Sequence, residues 1–322
     1  MTSVLIKQAG PMLTVQDLGR NGMLHLGVSG AGPMDGPSMR MANRLVGNDD
    51  TPALLEFAHV GGQFEVTQPV RFAVTGGTVD ITVDGQGRHG WESFSLVPGQ
   101  ILRIGALRDA VWGYLAFSGG INTAPVLGAR STHLRTGLGG HEGRRLAAGD
   151  SLPLAAAKPA PLMALTQPFR RPTGPVRVVR GPQADHFDSA AWDDFLGTAF
   201  IVSASRDRMA QMLEGSPIRA AAGHDIVSDG TVAGSIQVPS SGRPIVLMAE
   251  RQTTGGYPKI ATVASIDLPR LAQAMTGTTV RFKTISPDEA EELLIAQSQA
   301  LAATMSSLET KSEPESAKGA GQ

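Results

Sequence analysis

Short apolar runs separated by polar, glycine-marked turns set the rhythm of this chain. From Ser3 to about Asp150 the runs are Gly62 to Thr67, Val70 to Val74, Val79 to Val83, Phe94 to Val97, Ile101 to Ile104 and Val111 to Phe117. They have the length and the β-branched, aromatic character of barrel or sandwich strands. One helix interrupts them. Pro37 suits its first helical position, Met41, Ala42, Leu45 and Val46 form an apolar stripe, and Gly47 ends it, so it is expected to pack on a barrel mouth.

A second β-rich stretch follows, with strands expected at Val176 to Val179, Ala199 to Val202, Ile245 to Ala249, Ile260 to Ser265 and Val280 to Ile285. Three short helices are expected within it: Asp188 to Leu196, Arg206 to Glu214 and Pro269 to Met275, each with apolar residues on one side. A final helix opens on Ser286, Pro287 and Glu289, a capping box with proline at the first helical position, and runs to about Met305. The Pro- and Ala-rich stretch between Leu152 and Pro175 lacks periodicity and reads as an interdomain connection. The expected organisation is a first β unit over 1–160, a linker over 161–175, a second β unit with a terminal helix over 176–305, and a disordered polar tail over 306–322.

Composition narrows the class. Gly (39) and Pro (21) stand singly or in pairs between apolar runs, with Gly-Gly pairs starting at Gly61, Gly76, Gly119, Gly139 and Gly255, which is turn chemistry. The chain therefore reads as mainly β with short helices. Lys plus Arg (28) nearly cancel Asp plus Glu (29), so no overall field draws it to nucleic acid or an anionic membrane. Without cysteine it has no disulfide and no thiolate chemistry, which fits a cytoplasmic location. No apolar stretch has the length of a membrane span. The seven histidines show no metal-ligand spacing, and no phosphate-loop, nucleophile-elbow or dinucleotide motif occurs, so no metal site is expected.

The densest chemistry lies at Glu250 to Lys259, between the apolar runs PIVLMA and IATVAS. An ordinary hairpin needs two to five residues. This segment gathers Glu250, Arg251, Gln252, Thr253, Thr254, Gly255, Gly256, Tyr257 and Lys259, which either grip a carboxylate or amide or form a polar loop that satisfies its own hydrogen bonds. Upstream, Gln237 sits in an otherwise apolar strand, and two readings stand: it faces the same pocket, or it is the exposed residue of an alternating strand. Near the N-terminus, Asp17, Arg20, Asp35 and Asn43 are further ligand-binding candidates, against an Asp17–Arg20 salt bridge and a helix cap at Asp35. Arg206 and Arg208 either hold an anion at a helix start or belong to a solvated first turn.

Seven motifs, in this order, carry a resemblance: TVQDLGR at Thr14, PMDGPSMRMANRLVGN at Pro33, VLGARST at Val126, GGHEGRRLAAGD at Gly139, VSASRDRM at Val202, GSIQVP at Gly234 and ERQTTGGYPKI at Glu250. From about Val4 to Ile285 the chain resembles the group of 5-oxoprolinase C subunits. That group is related to the allophanate hydrolase subunit 2-like, biotin-dependent carboxyltransferase half of urea amidolyase and to the antagonist of the sporulation kinase inhibitor. The resemblance implies two cyclophilin-like β-barrel domains and work in complex with a B and an A subunit, opening 5-oxoproline, a small amide, to glutamate with hydrolysis of ATP. The nucleotide site would be on, or shared with, those partners. Urea carboxylase relatives imply an alternative, a carboxyltransferase fed by biotin carried on another polypeptide, and the antagonist implies a regulatory role without catalysis. The group usually has Asp where Glu250 stands, which displaces that carboxylate by one methylene. On the lactam reading, Arg251, Lys259 and the amides of Gly255 and Gly256 stabilise developing charge, Glu250 orients a water or the amide, and Gln252, Thr253, Thr254 and Tyr257 orient the ring.

Overall fold

The computed structural model describes residues 2–167 and 169–312. Pro168 of the expected linker and residues 313–322 of the expected tail lie outside the described residues. The chain is mainly β with four α-helices among the described residues, α1 (Gly36–Leu45), α2 (Ser189–Gly197), α3 (Leu268–Gln273) and α4 (Pro287–Ser306). No helix among the described residues is long and apolar enough to cross a membrane.

The first unit is two antiparallel sheets of six and five strands that sandwich Val4, Ile6, Phe57, Phe64, Phe72, Val74, Ile104, Leu115 and Phe117. Alternation explains the arrangement: in Val79–Val83 the odd positions are buried and Asp80 is exposed, as on a sheet with one wet face. The central strand Trp112–Phe117 is buried throughout. Helix α1 packs on this unit through Met39, Met41, Ala42 and Leu45, and Asp35 caps it by accepting from the Ser38 N–H at 3.2 Å and the Ser38 hydroxyl at 2.7 Å.

The second unit is an eight-stranded sheet whose outermost strands, Thr279–Val280 and Phe282–Thr284, are separated in the chain by Arg281 alone, so the sheet nearly closes into a barrel. In its core Phe195 stacks on Phe282, and Phe200 packs tilted against both. One hydrophobic core runs through both units, from Met39, Leu45 and Tyr114 to Val178, Ile236, Val246 and Leu271.

Three expectations need correction. Arg206 to Glu214 is not a helix but a β-hairpin, strand Phe200–Arg206 turning into Ala210–Glu214. Met209, Met212 and Leu213 fit either period over so short a run. The turn is set by Asp207, whose carboxylate accepts from the N–H groups of Met209 and Ala210. The linker contains a strand, Leu162–Ala164, and the tail contains its partner, Glu309–Lys311. Leu308 anchors this end on the core, and the Lys311 ammonium bonds Glu92 and sits 3.4 Å from the centroid of Phe94. These contacts offset the entropy cost of ordering a polar terminus.

Candidate functional site

Strand Lys259–Val263 lies between Val176–Arg180 and Ser235–Gln237. Gln237 pairs with Lys259 across a β-bulge, which sets the two side chains next to each other on one face. The Lys259 side chain is buried, and its ammonium meets Asp229 at 2.9 Å, a carboxylate whose side chain is 48% exposed. The lysine thus reaches from the interior to a wet rim. Gln183 fixes this geometry: its oxygen accepts from the Lys259 N–H at 3.2 Å and its nitrogen donates to Asp229 at 3.0 Å. The close approach requires glycine at 181, where a Cβ would fall 2.1 Å from the Lys259 carbonyl oxygen. Bonds from Lys259, Gln183 and the Gly230 N–H bring the Asp229 carboxyl down to about 2.

Gln237 Oε1 accepts from Gln252 Nε2 at 3.2 Å, while Gln237 Nε2 is buried without a partner. An amide donor left open in that way is costly unless something binds it. Across the ladder Lys259 supplies an ammonium and Gln237 an open amide, two donor groups suited to a carbonyl or carboxylate oxygen.

The Glu250 to Lys259 segment closes over this pair. A short ribbon joins Asp229–Gly230 to Thr254–Gly255, and the Thr231 hydroxyl and N–H bond the carbonyls of Gln252 and Thr253. Arg251 is half-buried, its Nε reaching the Thr231 carbonyl at 3.5 Å, and burial pulls its pKa below the ordinary value. Tyr257 is 40% exposed and has φ of 124°, a region costly for any residue but glycine, and such strain collects at ligand sites.

Glu250 is built differently. It is 2% exposed and pairs with Arg208, Nε to Oε1 2.5 Å, while its other oxygen accepts from the Leu134 N–H. Arg208 also bonds Glu56 of the first unit and the Gly32 carbonyl, and Glu56 accepts from the Met34 N–H at 2.8 Å and from Tyr114. Burial opposes the charge on Arg208, but Glu56 and Glu250 outweigh it and raise its pKa. Burial pushes Glu56 up against the pull of Arg208. With Arg208, Met34 and Tyr114 all donating to it, we take Glu56 as ionised.

The other candidates lie apart from Lys259. Arg206 bonds the carbonyls of Ala272 and Ala274 at the end of α3, and burial pulls it down to about 10. Asp35 caps α1 and holds Arg171 at 2.7 Å and Gln273 at 3.0 Å. Asn43 ties α1 to the Pro52 carbonyl and to Asn48. Asp17 and Arg20 form no direct pair: Asp17 accepts from Gly19, Arg130 and Ser131, and Arg20 donates to the carbonyls of Val126 and Ser131. Sequence reasoning did not find Asp229, Gln183, Glu56 or Gln273. The first two stand in aperiodic loops without a motif.

A family model described as the carboxyltransferase domain, subdomain A and B, matches residues 26–284. The chain belongs to that carboxyltransferase family. The 5-oxoprolinase C subunit of Escherichia coli (strain K12) is 36% identical over 286 residues, 88% of this chain and 92% of that protein. Among solved structures, TTHA0988 superposes with TM-score 0.80 at 36% identity over 88% of this chain, which spans 55% of that longer chain. The K. lactis urea amidolyase superposes with TM-score 0.83 at 27% identity over 98% of this carboxyltransferase chain and 20% of its own.

Proposed function

We propose that this chain is the C subunit of an ATP-dependent 5-oxoprolinase that opens the lactam of 5-oxoproline to L-glutamate with A and B subunits, in the cytoplasm. The observation that carries this is the open Gln237 amide on the strand position paired with Lys259, donor groups that fit the carbonyl or carboxylate of a small lactam. The relative in Escherichia coli gives the reaction its name. Amide resonance deactivates the lactam carbonyl. Transfer of the terminal phosphoryl group of ATP to the lactam oxygen activates the carbon and releases ADP. One water adds there, the ring C–N bond breaks with the nitrogen leaving as the amine, and a second water hydrolyses the resulting acyl phosphate to glutamate and phosphate. In this reading the partners hold or share the nucleotide, while Lys259, Arg251 and Gln237 steady the oxygen and its charge. Gln252 and the Thr253 to Gly256 backbone fix the ring's orientation.

The superposition on urea amidolyase favours a second reading, a carboxyltransferase that receives its carboxyl group from biotin on another chain. A third is a regulatory antagonist that binds a B-like partner without turnover. Reconstitution with A and B subunits separates them. Release of glutamate that needs ATP and this chain supports the proposal. Carboxylation of urea with a biotin carboxylase partner would replace it, and tight binding of the B partner without turnover would favour the antagonist.

A further inference from the structure

Helix α4 spans twenty residues without one buried side chain, although it is tied at both ends. Ser286 caps its start by accepting from the Glu289 N–H, and the strand Glu309–Lys311 pairs with Leu162–Ala164 just beyond its end. Between the two ties it rests on the body through partly buried residues, Ala290, Leu293, Leu301 and Met305, and through the Gln297 amide, which donates to the Ile266 carbonyl at 3.3 Å. The space beneath is a cleft of about 550 Å³, within the usual size of small-molecule sites, placed where both units and the connecting segment meet. Its walls include Pro37, Phe169, Pro172, Pro269, Ala300 and Leu301, and Phe169 is held in place by stacking on Trp91 at 4.8 Å. A helix docked tightly here would bury that apolar surface.

The charge in the walls has one sign in excess. Arg170, Arg171 and Arg270 line the cleft, against the single carboxylate of Asp35. Asp35 is fully buried and already holds Arg171 and Gln273, and Arg270 is occupied by Asp267 and by the carbonyls of Pro172, Gly174 and Pro175. Arg170 stands exposed at the rim. Apolar walls with a cationic edge fit a molecule of matching design.

We propose that this cleft is a second ligand site, separate from Lys259, that takes a small organic anion with an apolar body. The apolar body lies against Phe169, Ala300 and Leu301, and the anionic group meets Arg170. A ligand seated there touches the connecting segment, α3 and α4 together.

The test is a fluorescence titration of the full chain with 8-anilinonaphthalene-1-sulfonate, an aromatic anion of this size. Saturable one-to-one binding is expected, lost in Leu301→Trp and in Ala300→Trp, each of which fills the cleft, and weakened roughly threefold to tenfold in Arg170→Ala, the scale of one charge-assisted bond. Thermal unfolding of each variant reports that it is folded, and Ala300→Trp, at an exposed position, serves if Leu301→Trp is not. Binding unchanged in a folded cleft-filling variant would overturn the site. Binding unchanged in Arg170→Ala would overturn the anionic class of its ligand.

Discussion

Glu250 and Glu56, carried by different units, grip one guanidinium between them: Arg208, fully buried, bonds both carboxylates. The acid that opens the signature segment is therefore a fastener between the two halves. Removing one carboxylate leaves Arg208 with an uncompensated part of its charge in the interior. Glu250→Ala should lose about 3–5 kcal/mol of stability in urea unfolding, the scale for breaking a buried pair. Glu250→Asp, one methylene shorter, should lose less than half of that. A loss under about 1 kcal/mol for Glu250→Ala would show that the pair is solvated.

Most strands are legible in the sequence because their apolar runs are short, β-branched and bounded by glycine, and Asp35 and Ser286 cap the helices expected after them. The hairpin at Arg206 was not legible. Its apolar spacing fits a helix, and what decides against one is tertiary, the bonding of Arg208 to residues up to 176 positions away. The site was legible in half. Lys259 announces itself as the last residue of the polar segment between two apolar runs and Gln237 as an amide in an otherwise apolar strand, whereas Asp229 and Gln183 reach them through folding of aperiodic loops.

Gln273 shows the same limit and gives a second prediction. On α3 the expected apolar side was Leu271, Ala272 and Met275, yet Met275 is 43% exposed and Gln273 is buried. Its oxygen accepts from the N–H groups of Val111 and Trp112 at 3.0 and 2.8 Å, and its nitrogen donates to Asp35 and the Trp112 carbonyl. Gln273→Ala strands two buried N–H groups and should cost about 2–4 kcal/mol, at about 1–3 kcal/mol for each unsatisfied group with partial relaxation. Gln273→Glu, which sets a second carboxylate against Asp35, should be worse. Urea unfolding of both variants reads this directly, and a near-neutral Gln273→Ala would contradict it.

A third prediction concerns pH. Burial holds the His133 pKa below the ordinary imidazole value, with Arg20 and Arg208 acting in the same direction and Glu250 opposing. Nδ1 accepts from the Thr136 N–H, so the ring proton sits on Nε2 and is donated to Ser29 at 2.8 Å. The lowered folded pKa means that the unfolded chain takes up a proton first as pH falls below about 6.5. Stability attributable to this group is complete above that value and declines below it until the folded imidazole also protonates. His133→Gln should therefore flatten the fall in unfolding midpoint between about pH 6.5 and 5 relative to the parent chain. Parallel profiles for the two proteins would rule out a buried neutral imidazole.

The fourth prediction tests the donors themselves. In the reconstituted complex, Lys259→Ala should lower the rate of glutamate release about tenfold or more, since a charge-stabilising donor is lost where charge develops. Gln237→Leu removes the open amide while keeping its bulk. It should weaken substrate use mainly through KM if the amide grips the ground-state carboxylate, and mainly through kcat if it meets the lactam oxygen as charge builds. Asp229→Asn keeps the bond geometry and removes the counter-charge. The Asp229 carboxyl, brought down to about 2, stays ionised at every pH above that value, so stability from this pair is lost only as pH falls from about 4 through about 2. Activity of the parent complex between about pH 6 and 8 should therefore show no titration of Asp229. Full activity in both Lys259→Ala and Gln237→Leu would move the chemistry away from this strand pair and onto a partner polypeptide.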